Sequence, residues 1–173
     1  RYYQEIAINQ AVQAILQGKR RNLLTMATGT GKTVVAFQVS WKLWNVRWNR
    51  QGAYCKPRIL FLADRNVLVD DPKDKTFAPF GDARHKIEGK AVTSREMYFA
   101  IYQAIAKDAR RPGLYRNYPR DFFDLIIVDE CHRGSARART TATPTNTSAI
   151  PFHLQPEPGN RLRLSRPLIG FTV

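Results

Sequence analysis

Ala27-Thr28-Gly29-Thr30-Gly31-Lys32-Thr33 is the stretch on which the reading of this chain turns. Ahead of it, residues 22–26 form a short apolar run between a basic turn and the glycines, the pattern of a buried strand. Behind it, residues 33–46 carry aromatic and aliphatic side chains at helical spacing. Strand, glycine loop and helix in that order are the setting of a phosphate-binding loop. Gly29 and Gly31 let the backbone curl so that its N–H groups converge on phosphate oxygens, with Thr28 and Thr30 completing the cradle. The following helix adds the positive end of its dipole. Lys32 can then bridge the β- and γ-phosphates, and the Thr33 hydroxyl can ligate Mg²⁺. The expected cofactors are ATP and Mg²⁺.

Downstream, residues 124–128 form an aliphatic strand that runs into Asp129-Glu130-Cys131-His132. In an open parallel sheet, nucleotide sites lie at the carboxyl ends of the strands, so Lys32 and Asp129 should arrive at the same edge. Asp129 would hold Mg²⁺ through water, and Glu130 would orient the water that attacks the γ-phosphate. His132 fits a role in coupling nucleotide state to a second ligand rather than acid–base chemistry. The plainer alternative is an acidic pair capping a strand end beside a surface histidine. A zinc site at Cys131 and His132 lacks a second pair of ligands.

The remaining elements fit the same class. Residues 1–16 carry a helical apolar stripe that stops before Gly18, and residues 58–63 form a second apolar strand after Pro57. Residues 66–70 begin a helix that Pro72 limits. Residues 71–89 are polar, broken by Pro72, Pro79 and Gly81, and read as a long connection. Residues 97–102 are open between strand and helix; the strand is favoured, running into a short helix from Gln103. Residues 110–120 read as a basic loop. Alternating strands and helices predict an α/β fold with a parallel sheet flanked by helices.

Composition narrows the partners. The 173 residues suffice for one domain with a core, and the formal charge of +14 favours a polyanion such as nucleic acid, although basic charge alone also fits a membrane-surface protein. Cys55 and Cys131 form no disulfide framework and read as reduced thiols, which sets the expectation of a cytoplasmic protein. No apolar run is long enough to cross a bilayer, so no membrane partner is expected. The chain opens on Arg1 rather than Met, as a piece of a longer protein would.

The phosphate-binding loop, FLADRNVLVD at 61–70, REMYFAIYQAI at 95–105 and DLIIVDECHRGS at 124–135 together resemble the restriction (R) subunit of type I restriction–modification enzymes. The general loop pattern has Gly where Met26 stands; ATGTGKT without that Gly is the form usual in superfamily-two helicases. The resemblance covers residues 1–135 and implies the first RecA-like motor domain of a double-stranded DNA translocase. It implies duplex DNA, a methyltransferase subunit and a specificity subunit as partners. By the same resemblance, Lys32 and Thr33 are Walker A residues, and Asp129 and Glu130 are Walker B residues. Gln4 matches an adenine-reading glutamine, with a polar helix-surface residue as the alternative. Arg65, Tyr102 and Gln103 fall in blocks that touch the DNA backbone, and solvated or structural roles stay open for all three. Another superfamily-two helicase, or a truncated binding module without turnover, are the competing readings.

Residues 136–173 depart from this pattern. Thr141-Ala142-Thr143-Pro144 matches a later family motif in its letters but stands too close to His132 for a helix and a return strand. Leu168-Ile169-Gly170-Phe171-Thr172 resembles the start of the same motif at a credible distance. The arginine- and proline-rich composition of 136–166 fits either an altered reading frame or a divergent loop. The family's second RecA-like domain, with its transition-state arginine, and its nuclease motif are not found in this chain. It is therefore expected to bind ATP better than it hydrolyses it, and not to cut DNA.

Overall fold

The computed structural model describes residues 1–105, 114–131 and 167–172. The elements run α1 (Tyr2–Leu16), β1 (Arg21–Thr25), α2 (Lys32–Asn45), β2 (Ile59–Ala63), α3 (Val67–Asp71), β3 (Arg84–Lys86), β4 (Met97–Ile101), α4 (Tyr102–Ile105), β5 (Leu125–Val128) and β6 (Leu168–Thr172). The six strands form one parallel sheet in the order β1-β6-β5-β2-β4-β3.

Side chains alternate across a strand, and the central strands use that period to build two cores. Ile59, Phe61 and Ala63 of β2, Met97 and Phe99 of β4, and Leu125 and Ile127 of β5 face α1 and α2, meeting Ile8, Ile15, Val35, Val39 and Leu43. Leu60, Leu62, Tyr98, Ala100, Ile126 and Val128 face the other way, onto Tyr118, Phe122 and Phe123. Coverage of both faces explains why these strands read as unbroken apolar runs. Among the described residues, no helix is long and apolar enough to cross a membrane.

Three expectations change. Residues 71–89 are more than a connection. Pro72 ends α3, but a π-helical turn (Pro72–Thr76), 3₁₀ turns (Ala78–Ala83) kinked at Gly81, and edge strand β3 follow it. Polar neighbours hide the signal: Phe77, Phe80 and Ile87 are buried, as is Pro72, among residues that are exposed or half-buried. β1 is an edge strand among the described residues, with alternating burial rather than two covered faces; Leu23 is 66% exposed. Lastly, residues 168–172 stand within the segment that departs from the alternating pattern, yet they form a regular strand. There β6 lies inside the sheet, paired with β1 and β5, with Ile169 and Phe171 buried. The match at 141–144 lies outside the described residues.

Candidate nucleotide site

The loop after β1 rises from a buried base. Met26, where the general pattern has glycine, packs into the core and its N–H donates to the Thr172 carbonyl at 2.9 Å. Beyond it the chain turns at Gly29 (φ 76°) and Gly31 (φ 88°), conformations that favour glycine. Thr30 closes the turn, with its hydroxyl donating to the Ala27 carbonyl at 2.6 Å. Gly31 is the N-cap of α2 and, among the described residues, no side chain caps that helix, which leaves first-turn N–H groups to a ligand. Thr33 is half-buried in that first turn, and Thr28 is exposed on the loop.

Gln4 lies against this loop. Its amide Nε2 donates to the Thr30 carbonyl at 2.7 Å, and its Oε1 accepts from the Arg1 amino group at 3.2 Å. Tyr3 donates to the same Thr30 carbonyl at 3.3 Å. A Cβ on Gly31 would stand 2.4 Å from the Gln4 amide nitrogen, whereas one on Gly29 would meet none of the described residues within 4 Å. Gly31→Ala should therefore lower stability more than Gly29→Ala. Both incur the positive-φ cost of about 1–2 kcal/mol, but only Gly31→Ala displaces Gln4. Thermal unfolding of both variants, alone and with Gln4→Ala, checks this; equal losses, or no relief by Gln4→Ala, would show that the contact carries no weight.

The acidic residues come from β5. The Asp129 N–H is tied to the Leu62 carbonyl at 2.8 Å and the Cys131 N–H to the Phe171 carbonyl at 2.9 Å. Between those anchors Glu130 adopts φ 50°, a left-handed conformation, and its N–H donates to Asp129 Oδ1 at 3.1 Å. The turn sends Glu130 across the end of β6, where its Oε1 meets Lys32 Nζ at 3.0 Å. The two side chains are only 10% and 15% exposed. Asp129 is buried, and burial together with the Glu130 charge raises its pKa above the usual carboxylate value, partly offset by Lys32.

Lys32, Asp129 and Glu130 are thus brought to one edge of the sheet. Tyr102 reaches the same place from β4, its hydroxyl donating to the Asp129 carbonyl at 3.4 Å; burial raises its pKa far above the usual tyrosine range. Gln103 and Arg65 are exposed, with Arg65 Nε 3.9 Å from the Asp64 carboxylate. His132 lies outside the described residues.

Gly170 has a role that its place in the sequence does not announce. A Cβ there would come 3.1 Å from Cys131 Sγ and 3.3 Å from Leu23 Cδ1, so glycine lets the turn after Asp129 lie down on β6. A glycine inside a strand is the usual mark of such an approach, and is the signal that could have found it. Alongside the loop, a groove of about 460 Å³ runs between α1 and β1, lined by Tyr3, Ile6, Gln10, Leu23, Met26 and Thr30.

The family described as "Type III restriction enzyme, res subunit" matches residues 1–155. The chain is 49% identical over 137 residues to the type I restriction enzyme EcoAI endonuclease subunit of Escherichia coli, covering 79% of this chain and 16% of that protein. Its identity to the EcoKI endonuclease subunit of E. coli K12 is 33% over 143 residues, covering 78% and 12%. A solved fragment described as an HsdR subunit of a type I restriction enzyme from Vibrio vulnificus YJ016 is 55% identical. It superposes with a TM-score of 0.70 over 100% of this chain and 26% of that one. The chain therefore spans a small part of these relatives. With its parallel sheet, phosphate-loop geometry and facing acidic turn, it belongs to the type III restriction enzyme res subunit family, as a RecA-like helicase domain of the kind carried by type I restriction endonuclease subunits.

Proposed function

We propose that this chain is the ATP-binding part of a motor that moves along double-stranded DNA, within the endonuclease subunit of a type I restriction system. The observation that carries the reading is the Lys32–Glu130 pair at 3.0 Å. It joins the loop after β1 to the turn after β5, above the carboxyl end of the sheet. The residues suit ATP with Mg²⁺. An uncapped helix start, Lys32 and two left-handed glycines offer donors to phosphate, while the Thr33 hydroxyl and the Asp129 carboxylate offer oxygens to a hard cation. Bound ATP–Mg²⁺ would supply the phosphoryl group whose transfer to water releases the free energy for movement.

The chain's own residues divide the work. Gly29, Thr30, Gly31 and the start of α2 orient the phosphates through backbone N–H groups. Lys32 gives up Glu130 for a phosphate oxygen, which leaves the Glu130 carboxylate to accept a hydrogen bond from water and orient it. Thr28 and Gln4 stand at the rim, and the groove beside Tyr3 and Leu23 offers apolar faces to an adenine ring. Arg65, Gln103 and Tyr102 are the proposed DNA-side residues at the ends of β2 and β4. Residues 1–135 would constitute the motor half and 136–173 the end of the same domain. Methyltransferase and specificity subunits would be its partners, in the cytoplasm.

Fluorescent-ATP titration tests the site: saturable, Mg²⁺-dependent binding is expected, competed by ATP and not by AMP, which lacks the β- and γ-phosphates. Equal competition by AMP would refute the reading. Stimulation of turnover by duplex DNA would then separate a motor from a module that merely holds nucleotide.

A further inference from the structure

The edge of the sheet opposite the nucleotide loop holds a second cleft, of about 600 Å³. Its walls are the loop between α2 and β2, the turn before β4 and the turn before β5. They lie at the amino ends of strands whose carboxyl ends carry the nucleotide site, about 15 Å away by strand length. Among the described residues four cations line it: Arg47, Lys56, Arg58 and Arg95. None of the four is in an ion pair among the described residues, whereas Lys32, Arg50 and Lys86 each have a carboxylate partner.

The acids in the same cleft are Glu96, Asp121 and Asp124. Asp124 is committed to the backbone, accepting the N–H of Arg58 at 2.9 Å and of Arg50 at 3.1 Å, and Asp121 pairs with the Arg50 side chain at 3.4 Å. Three of the cations are held instead by rings. The Arg47 guanidinium lies 4.6 Å from the Tyr54 ring, the Lys56 amine 3.5 Å from Trp44 and the Arg58 guanidinium 4.6 Å from Phe122. The fourth, Arg95, donates to the Asp82 backbone carbonyl. A ring or a carbonyl fixes a charge without neutralising it, unlike a carboxylate. The loop is also pre-built: buried Asn49 donates to the Ala53 and Cys55 carbonyls and accepts the Ala53 N–H at 3.0 Å.

We infer that this amino-edge cleft is a second phosphate-contacting surface, and that it holds the phosphodiester backbone of duplex DNA. Oriented cations beside the Thr93 and Ser94 hydroxyls are the chemistry of sequence-independent backbone contact. A chain of net charge +14 adds the long-range attraction. The surface is independent of the nucleotide site, so DNA can be held at both edges of the sheet.

The test is binding of a short fluorescent duplex by the 173-residue chain across a salt series. Replacing Arg47→Asn, Lys56→Gln, Arg58→Gln and Arg95→Gln together should weaken binding at least about tenfold. It should also lower the slope of log K against log salt by about 3.6, near 0.9 per lost phosphate contact. Fluorescent-ATP affinity should stay unchanged. Lys56 and Arg58 pack on Trp44 and Phe122, rings that belong to the packed cores, whereas the Tyr54 ring beside Arg47 is exposed. The pair Arg47→Asn with Arg95→Gln, both exposed, therefore gives a second reading, and asparagine suits the φ of 53° at position 47. That pair should lower the slope by about 2. Unchanged affinity and slope in a variant that still binds ATP would overturn the inference, as would absence of duplex binding by the unaltered chain. Loss of duplex binding in the variants, with no ATP binding by any of the proteins, would sink the nucleotide reading and leave the cleft standing.

Discussion

Lys32→Ala is expected to abolish binding of Mg²⁺-ATP and, separately, to destabilise the nucleotide-free chain. The affinity loss should be at least about 100-fold, or about 2.7 kcal/mol, since a charge-assisted contact to phosphate disappears. The stability loss has a different origin. Lys32 Nζ lies 3.0 Å from Glu130 Oε1 with both side chains largely buried, and Asp129 lies next door. Removing the cation leaves two neighbouring carboxylates without it, and breaking a buried pair from one side costs about 3–5 kcal/mol.

The pH dependence follows from the raised pKa of Asp129. Between its unfolded and folded pKa values the folded state binds more protons, so stability falls as pH rises through that window. Lys32 is one of the two influences that lower this pKa. Without it the window widens toward neutral pH, and the variant should lose stability more steeply than the parent from acid to neutral. Adding Glu130→Gln removes one of the two negative charges. The double variant should recover most of the stability and none of the ATP affinity. Urea unfolding of the parent, both single variants and the double variant at two pH values, with ATP titrations, reads both effects. A Lys32→Ala chain as stable as the parent at neutral pH would mean that the pair is not formed in solution.

Phe77→Ala should be the most damaging substitution in the core. Phe77 is fully buried and its ring meets those of Phe37 at 5.5 Å, Phe61 at 5.7 Å, Phe80 at 5.8 Å and Phe99 at 5.2 Å. These rings tie α2, the turns after α3 and strands β2 and β4 together. Truncation removes the buried ring and leaves a cavity among side chains that cannot all close in, a loss of about 3–5 kcal/mol. Domains are stable by only about 5–15 kcal/mol, so the variant should be close to unfolded at room temperature. Asp82→Ala, exposed in the same stretch, should cost less than about 0.5 kcal/mol. Urea midpoints compare the two. A Phe77→Ala chain within about 1 kcal/mol of the parent would show that this stretch is the loose connection its composition describes.

Much of the fold is legible in the amino-acid sequence alone. Residues 59–63 and 125–128 are unbroken apolar runs because both their faces are covered. Gly29 and Gly31 announce a loop because left-handed backbone favours glycine there. Asp129 and Glu130 follow such a run directly, which places them at its carboxyl end. Each of these signals is local: the residues that carry it are neighbours in the chain and answer to one strand's pleat or one turn's dihedrals.

The rest depends on contacts between distant segments, which periodicity does not encode. Only the strand order puts β6 between β1 and β5, so that Lys32 and Glu130 meet across 98 positions. Only that order makes Gly170 the floor for Cys131 and turns the Tyr102 hydroxyl to Asp129. The burial of Phe77 and Phe80 is invisible among polar neighbours, because two rings in a helical turn set up no repeat. The basic cleft is likewise assembled from loops that the sequence scatters between positions 47 and 124. Local spacing decided which elements form and which residues end them; the sheet's order, a property of the packed whole, decided which of those ends meet.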